Sequence, residues 1–203
     1  VAARFWRAPL TGIRLSRAVL GPRRDRSWRS DHGKTPDPAG PHEFAYFWHW
    51  LLRMERMPPY DPDVDGRAID WDLVRRVLDN VSDAFGAPTI HKAMHAGYHV
   101  ARLAQALPDS LFIHVRRPLL DVAASLAAAR VRYYGDLQAW WSLFTPDYEA
   151  LRTAPWWRQI AAQVTWLARR QAQGLAAVDP ARVVTVPYAS LCAAPAAVAQ
   201  DIA

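Results

Sequence analysis

Residues 112–125 read FIHVRRPLLDVAAS and carry the strongest structural signal in the chain. Residues 112–115 are apolar apart from His114. Two arginines and Pro118 then form a turn, and the pattern becomes helical from Leu119. A short apolar run bounded by a turn and followed by a helix is typical of a buried β-strand in an α/β protein. We expect His114 to be a buried histidine with its hydrogen bonds satisfied.

The segments on either side alternate between strand-like and helix-like patterns. We predict strands at 87–92, 110–115 and 183–186, and helices at 100–107 and 119–130. This alternation is the pattern of a parallel sheet covered by helices, because parallel strands need crossover connections. The sequence therefore predicts an α/β fold.

The remaining segments complete a single domain over residues 1–203. Segment 21–41 is rich in proline, glycine and charge, which predicts a long loop. The chain has no internal repeat or low-complexity segment, so we expect one domain. Further helices are predicted at 2–20, 43–56, 70–85 and 158–178, within 133–157 around a loop, and from 189 to the end.

Composition limits the class of protein and of partner. The chain has 203 residues, of which 51% are apolar, enough for one full core. Its 25 Lys and Arg against 19 Asp and Glu give a net charge of +6 at pH 7, which fits an anionic partner such as nucleic acid, an anionic membrane or a phosphorylated small molecule. No run approaches the roughly 20 apolar residues of a membrane-spanning helix.

The single cysteine, Cys192, excludes an internal disulfide. We expect Cys192 to be a small packing residue of a helix rather than a nucleophile. A reducing compartment, the cytoplasm, is the expected location.

Arg117 and Ser125 are the first candidates for a binding site. Ligands of parallel α/β sheets bind beyond the carboxyl ends of the strands, where Arg117 is expected, and Ser125 follows in the early turns of the helix. An arginine fork and a hydroxyl can hold the oxygens of one phosphate through charge-assisted hydrogen bonds. The alternative is that the arginine only solvates a strand end and the serine is an ordinary helix residue.

This segment resembles the 3′-phosphate-binding segment of the sulfotransferases that use 3′-phosphoadenosine 5′-phosphosulfate (PAPS). That family has a hydrophobic strand, an arginine, a short turn, Asp-Val, and a serine eight residues after the arginine; Arg117, Asp121-Val122 and Ser125 match it. The turn at 118–120 departs from the family pattern. Arg130, next to a position that is arginine in some members, is a secondary candidate for the same phosphate.

Four further stretches are similar to the same family and follow in the same order. The resemblance therefore runs from residue 40 to the end, and it implies a three-layer α/β/α fold of the P-loop nucleoside triphosphate hydrolase type. It also implies sulfuryl transfer from PAPS to a hydroxyl or amine of a small molecule, lipid or saccharide. The four stretches are GPHEF at 40–44, HKAMH at 91–95, LPDS at 107–110 and RVVTVPYASL at 182–191.

One part of the family pattern is missing from the sequence. The family holds the 5′-phosphosulfate with a P-loop-like Arg-Ser-Gly-Thr segment after its first strand, where backbone N–H groups neutralise the sulfate. No Ser-Gly-Thr run is present. We expect this strand and loop upstream of Val1, so that the chain would be an N-terminally truncated enzyme, inactive alone.

The resemblance also implies roles for residues outside the arginine segment. Glu43 is the first candidate for the base that deprotonates the acceptor, the alternative being a carboxylate that stabilises a helix start. His95 is a second candidate base, although Met94 holds the position of the histidine in the cytosolic branch of the family. Lys92 would neutralise charge on the sulfate, or be a solvated lysine. Tyr188 would border the nucleotide.

Other functions need features that the sequence does not favour. His91, His95 and His99 have four-residue spacing, but Gly97 interrupts a helix and no carboxylate or thiolate accompanies them, so we expect no metal. A phosphotransferase would need a complete Gly-x-x-x-x-Gly-Lys-Ser/Thr loop; Gly33-Lys34-Thr35 provides its last three residues, but Trp28 stands in place of its first glycine. The basic segment 22–34 offers only Trp28 for stacking, which does not favour nucleic acid. A non-catalytic basic module that binds nucleic acid or nucleotide is the alternative function.

Overall fold

The computed structural model describes residues 45–54 and 60–202. Glu43 and the elements predicted at 2–20 and 21–41 lie outside these residues. Three 3-10 turns, at Asp65–Ala68, His95–Tyr98 and Pro180–Arg182, link the main elements. The α-helices are Ala45–Leu51 (α1), Trp71–Phe85 (α2), Val100–Ala106 (α3), Leu119–Tyr134 (α4), Tyr148–Leu151 (α5), Trp156–Ala176 (α6), Tyr188–Ala193 (α7) and Pro195–Ile202 (α8), and the strands are Phe112–Arg116 (β1) and Val183–Pro187 (β2).

The two strands pair in parallel, as the sequence predicts. Phe112 lies opposite Val183, and the register continues to the pair of Arg116 and Pro187. The chain between the strands supplies α4, α5 and α6, and α4 packs against α6. The long crossover that parallel pairing requires is therefore helical.

Arg182 fixes how β2 meets the connection between α3 and β1. Its guanidinium donates to the carbonyl oxygens of Ala104, Leu107 and Ser110 at 3.1, 2.5 and 2.9 Å. The guanidinium also lies over the ring of Phe112, 5.6 Å from its centroid. These contacts join the start of β2 to the start of β1 and so support their register.

The strand predicted at 87–92 is wrong. The segment has no regular hydrogen-bonded structure, and Ile90 is 89% exposed. A strand needs a partner along its length, Pro88 lacks an N–H to donate, and among the described residues only β1 and β2 form a sheet. The described part of the chain is thus helix-rich with a small parallel sheet, which is compatible with an α/β sulfotransferase fold.

The strands are also less buried than their apolar sequences predict. Ile113 and Val115 are 41% and 42% exposed, and His114 is half-buried rather than buried. Among the described residues β1 and β2 pair only with each other, so they have fewer covering neighbours than the fully covered parallel strands that the sequence suggests. Helix packing therefore dominates the core.

The main core lies where α1, α2 and α3 meet. Phe47, Trp48, Leu51 and Leu52 come from α1 and the turn after it, and all four are almost completely buried. The predicted helix at 70–85 is confirmed, and its buried face consists of Val74, Val77, Leu78 and Val81.

The ends of α2 follow local rules. The Asp70 side chain accepts a hydrogen bond from the Leu73 N–H at 2.9 Å and caps the start of the helix, and Gly86 ends it at a φ of 63°. None of the described helices has the length and apolar character to cross a membrane.

Candidate functional site

The carboxyl ends of β1 and β2 bring two predicted site residues together. Because the strands are parallel and Arg116 lies opposite Pro187, the next residues, Arg117 and Tyr188, leave the sheet at the same edge. The Cζ atom of Arg117 lies 4.9 Å from the centroid of the Tyr188 ring, a cation–π contact. A guanidinium and an aromatic ring thus form one small surface at the end of the sheet.

The same local pattern produces both halves of this surface. Each strand leads through a proline, Pro118 or Pro187, into a helix, and both prolines have extended ψ angles, 135° and 130°. Proline pre-sets φ for the turn, but it offers no side-chain cap to the helix that follows. Pro118 therefore offers no side-chain acceptor to the first N–H groups of α4. These N–H groups lie close in the chain to Arg117.

Ser125 and the surrounding charges complete the edge. Ser125 is half-buried in the second turn of α4, on the helix that begins at the same edge. Arg116 is exposed next to Arg117, whereas Asp121 is an exposed acidic residue in the first turn of α4. The cationic groups and the start of a helix can bind an anion.

The side chain of Tyr188 interacts with that of Cys192, the single cysteine of the sequence. The neighbouring Cys192 side chain raises the pKa of Tyr188, and Arg117 acts in the opposite direction. Cys192 lies in α7, one turn after Tyr188, but it is exposed, so the expectation of a small packing residue is wrong. The tyrosine stays a neutral phenol at neutral pH, which suits a ring that packs on a ligand.

Arg130 is a structural residue in this fold. It is fully buried, and its Nη1 atom donates to the Leu137 carbonyl at 2.9 Å and to Gln159 Oε1 at 2.8 Å. Nη2 reaches Gln163 Oε1 at 3.5 Å, and the guanidinium lies over the ring of Trp140. A guanidinium enclosed in this way does not lie at the carboxyl edge of the sheet, which corrects the expectation that Arg130 contacts a phosphate.

His95 forms a pair that the sequence did not suggest. Its Nε2 atom lies 2.8 Å from Nε2 of His49 on α1, and the two rings meet edge to face with centroids 4.3 Å apart. Burial and the neighbouring His49 lower the pKa of His95 to about 4, and burial lowers the pKa of His49. Both rings are therefore neutral near pH 7. A separation of 46 residues hides such a pair from motif reading.

Lys92 and His91 lie in the irregular segment before this pair. Lys92 is exposed, and His91 accepts or donates a hydrogen bond with Thr89 Oγ1 at 3.0 Å. The His91 ring also meets the edge of Trp48. The structure thus places Lys92 on the surface, three residues before His95.

The three histidines with four-residue spacing do not form one cluster. His99 is buried and shares a hydrogen bond with the Tyr60 hydroxyl at 2.5 Å, whereas His95 pairs with His49. Burial, with a smaller contribution from Arg170, lowers the pKa of His99 to about 4. Within 45–54 and 60–202, no group of three or more His, Cys, Asp or Glu side chains is arranged to hold a metal ion.

Comparison with known proteins identifies the family. No match to the chain was found among curated proteins or among solved structures. The model of the sulfotransferase family, in contrast, matches residues 23–203, which include both strands and the carboxyl edge that carries Arg117 and Tyr188. With most of its length covered by that match, the chain belongs to the sulfotransferase family.

Proposed function

We propose that the protein transfers a sulfuryl group from PAPS to a hydroxyl or amine acceptor. The observation that carries this proposal is the Arg117–Tyr188 contact at the carboxyl edge of the parallel strands, 4.9 Å from guanidinium carbon to ring centroid. The contact joins two distant parts of the sequence. The Arg117 guanidinium is suited to binding a phosphate, and the Tyr188 ring is suited to packing against a nucleotide. Membership of the sulfotransferase family supports the reaction class.

In this proposal the edge holds the 3′-phosphate of the nucleotide. Arg117 donates a forked pair of hydrogen bonds, Ser125 donates its hydroxyl, and the uncapped N–H groups at the start of α4 add positive potential. Tyr188 packs against the nucleotide, next to the guanidinium of Arg117. Arg130 has no part in this site, because its guanidinium donates to internal oxygens.

Sulfuryl transfer resembles phosphoryl transfer in needing alignment and positive charge more than covalent help from the protein. The acceptor oxygen or nitrogen attacks sulfur, and the bond from sulfur to the bridging oxygen of PAPS breaks. Lys92 would neutralise charge on the transferring group, and Glu43 or His95 would take the acceptor proton. The donor loop for the 5′-phosphosulfate is assigned to no residue of this sequence.

We further propose a small molecule, lipid or saccharide as acceptor and a reaction that proceeds without a metal. A single α/β domain spanning 1–203 would carry this part of the enzyme. The exposed free thiol of Cys192 fits a reducing compartment, so we propose a cytoplasmic location.

The first experiment compares nucleotides with and without the 3′-phosphate. Arg117→Ala should lower the affinity for 3′-phosphoadenosine 5′-phosphate (PAP) by about 10- to 100-fold, because charge-assisted hydrogen bonds contribute about 1.5–3 kcal/mol. The affinity for adenosine 5′-monophosphate should change little, as measured by calorimetry on the full chain. Arg158→Ala, at an exposed position of α6, is the control and should leave the ratio of the two affinities unchanged. Equal losses for both nucleotides in Arg117→Ala would refute the assignment.

A further inference from the structure

The pair of His49 and His95 contains more chemistry than a single candidate base. A hydrogen bond between two Nε2 atoms at 2.8 Å requires one proton between them, so one ring donates and the other accepts. A neutral imidazole carries one N–H. The donating ring therefore has an unprotonated Nδ1, and the accepting ring carries its proton on Nδ1. The donating ring can therefore take an additional proton at its free Nδ1. At the same time it can pass its Nε2 proton to the Nε2 atom of the accepting ring.

Both rings are held by elements that leave them little freedom. α1 is anchored through the buried side chains of Phe47, Trp48 and Leu51, which flank His49 on the helix. Core packing of α1 therefore restricts the position of the His49 imidazole.

The 3-10 turn that begins at His95 is fixed at its other end. The Tyr98 hydroxyl donates to the Phe144 carbonyl at 2.7 Å, and Arg170 Nε donates to the Tyr98 carbonyl at 2.9 Å. A Cβ atom at Gly97 would lie 2.9 Å from Gln171 Nε2, so the turn packs closely against α6. A fixed geometry of this kind is what a proton transfer between two rings needs.

We propose that His49 accepts, through the shared Nε2–Nε2 bond, the proton that His95 removes from the sulfuryl acceptor. This inference rests on the proposed function, in which His95 is one of two candidate bases. The acceptor O–H or N–H proton goes to His95 Nδ1, and the proton on His95 Nε2 moves to His49 Nε2. The acceptor atom forms its bond to sulfur, and the electron pair of the broken S–O bond leaves with PAP. His49 ends as the imidazolium.

Sharing the proton with His49 would make His95 a stronger base than its lowered pKa suggests. Burial, with a smaller contribution from the neighbouring His49, lowers the pKa of His95 to about 4, so a His95 ring that kept the whole proton would be a weak base at neutral pH. When the pair gains a proton, its neutral hydrogen bond becomes a charge-assisted one, which is about twice as strong. The first proton on the pair is therefore favoured, whereas a second is opposed by the charge of the first.

Within the part of the chain that the structure describes, the charged groups around the turn can be named. His91 and Lys92 precede it in the chain, and Arg170 approaches from α6 through the Tyr98 carbonyl. On α3, Arg102 donates to Gln105 of its own helix at 3.2 Å. Of these groups and His49, only His49 is directly bonded to the His95 ring, so its replacement should change the titration of His95 most.

The test is nuclear magnetic resonance titration of ¹⁵N-labelled histidine side chains in the full chain. In the wild-type protein we expect the His49 and His95 rings to gain their first proton at one common midpoint. In His49→Gln, whose amide oxygen can accept the His95 N–H but cannot take its proton, we expect the His95 midpoint to fall to a lower pH. A rise of that midpoint in His49→Gln would overturn the inference, because it would show that His49 acts only as a repelling neighbour. Separate midpoints in the wild type would overturn it as well.

Kinetics supply the second readout. The assay uses the enzyme completed with the donor loop that the family pattern predicts, with PAPS as donor and water as acceptor. In that enzyme His95→Gln should lower the rate of PAP release by about 100-fold, the lower range of general-base effects, and His49→Gln should lower it by at least about 10-fold and shift the acid limb of the pH profile. His91→Gln is the matched control and should keep the wild-type rate of PAP release and the wild-type acid limb of the pH profile. An unshifted acid limb in His49→Gln contradicts the inference.

The two proposals can fail separately. If Arg117→Ala leaves discrimination of the 3′-phosphate intact, the proposed function fails whatever the histidines do. If that discrimination depends on Arg117 but the histidine rings titrate independently, only the proton-sharing inference fails.

Discussion

Arg130 shows how a residue that lies next to a position of a family pattern can serve the fold instead. The arginine is enclosed between α4, α6 and the loop at 137–143, where it meets the side chains of Gln159 and Gln163. Burial lowers the pKa of its guanidinium, and its Nε atom has no hydrogen-bond partner among the residues described at 45–54 and 60–202. The two glutamines also donate to carbonyls of the segment 141–154, so Arg130 completes a polar network that holds this loop.

Replacing Arg130 should therefore cost stability rather than nucleotide affinity. In Arg130→Ala the carbonyl of Leu137 and two buried amide oxygens lose a donor, and we expect the free energy of unfolding to fall by about 3 kcal/mol. Arg158→Ala, at an exposed position of α6, should change it by less than about 0.5 kcal/mol. Urea denaturation measures both variants. An unchanged unfolding curve together with weaker PAP binding would return Arg130 to the nucleotide site.

At the scale of elements, local sequence patterns predicted most helices and both observed strands. Helices at 70–85, 100–107 and 158–178 are found within a few residues, because their periodic apolar faces meet clear ends such as Pro108. The strand at 87–92 fails because a strand depends on a partner that its own sequence does not encode. The same limit applies to the site: the meeting of Arg117 with Tyr188 follows from parallel pairing, whereas the bond between His49 and His95 depends on how α1 packs.

Gly174 tests how closely α3 and α6 must approach. A Cβ atom at Gly174 would lie 2.8 Å from Val100 Cβ and 3.5 Å from the Ala101 nitrogen, which is too close for Val100 to avoid by rotation. We expect Gly174→Ala to lower the free energy of unfolding by about 1–3 kcal/mol, as overpacking does, although alanine is the better helix former by about 1 kcal/mol.

The control for this prediction is the opposite substitution, alanine to glycine, at an exposed position of the same helix. Ala172 is exposed on α6, so Ala172→Gly should be destabilising by about 1 kcal/mol through helix propensity alone. Thermal unfolding of both variants gives the comparison. If Gly174→Ala were stabilising, the two helices would not be in the close contact that the structure shows.

At the scale of the whole molecule, the charge of +6 agrees with an anionic partner but does not choose one. A nucleotide site and a nucleic-acid surface would both use basic residues. They differ in what the bound anion must contain: the proposed site needs the 3′-phosphate of one nucleotide, whereas a nucleic-acid surface needs many phosphates along a strand.

Ligand-induced stabilisation separates these two possibilities. A ligand at 100 times its dissociation constant stabilises the folded state by about 2.7 kcal/mol, which for a chain of this size raises the Tm by about 5–10 °C. We expect PAP to produce this shift and adenosine 5′-monophosphate at the same concentration to produce a much smaller one, because it lacks the phosphate that Arg117 and Ser125 would hold. A Tm raised by single-stranded DNA, lost steeply with added salt, and unmoved by PAP would instead identify a nucleic-acid-binding module. The discriminating feature is thus one phosphate group on one small molecule, read out without knowledge of the sulfuryl acceptor.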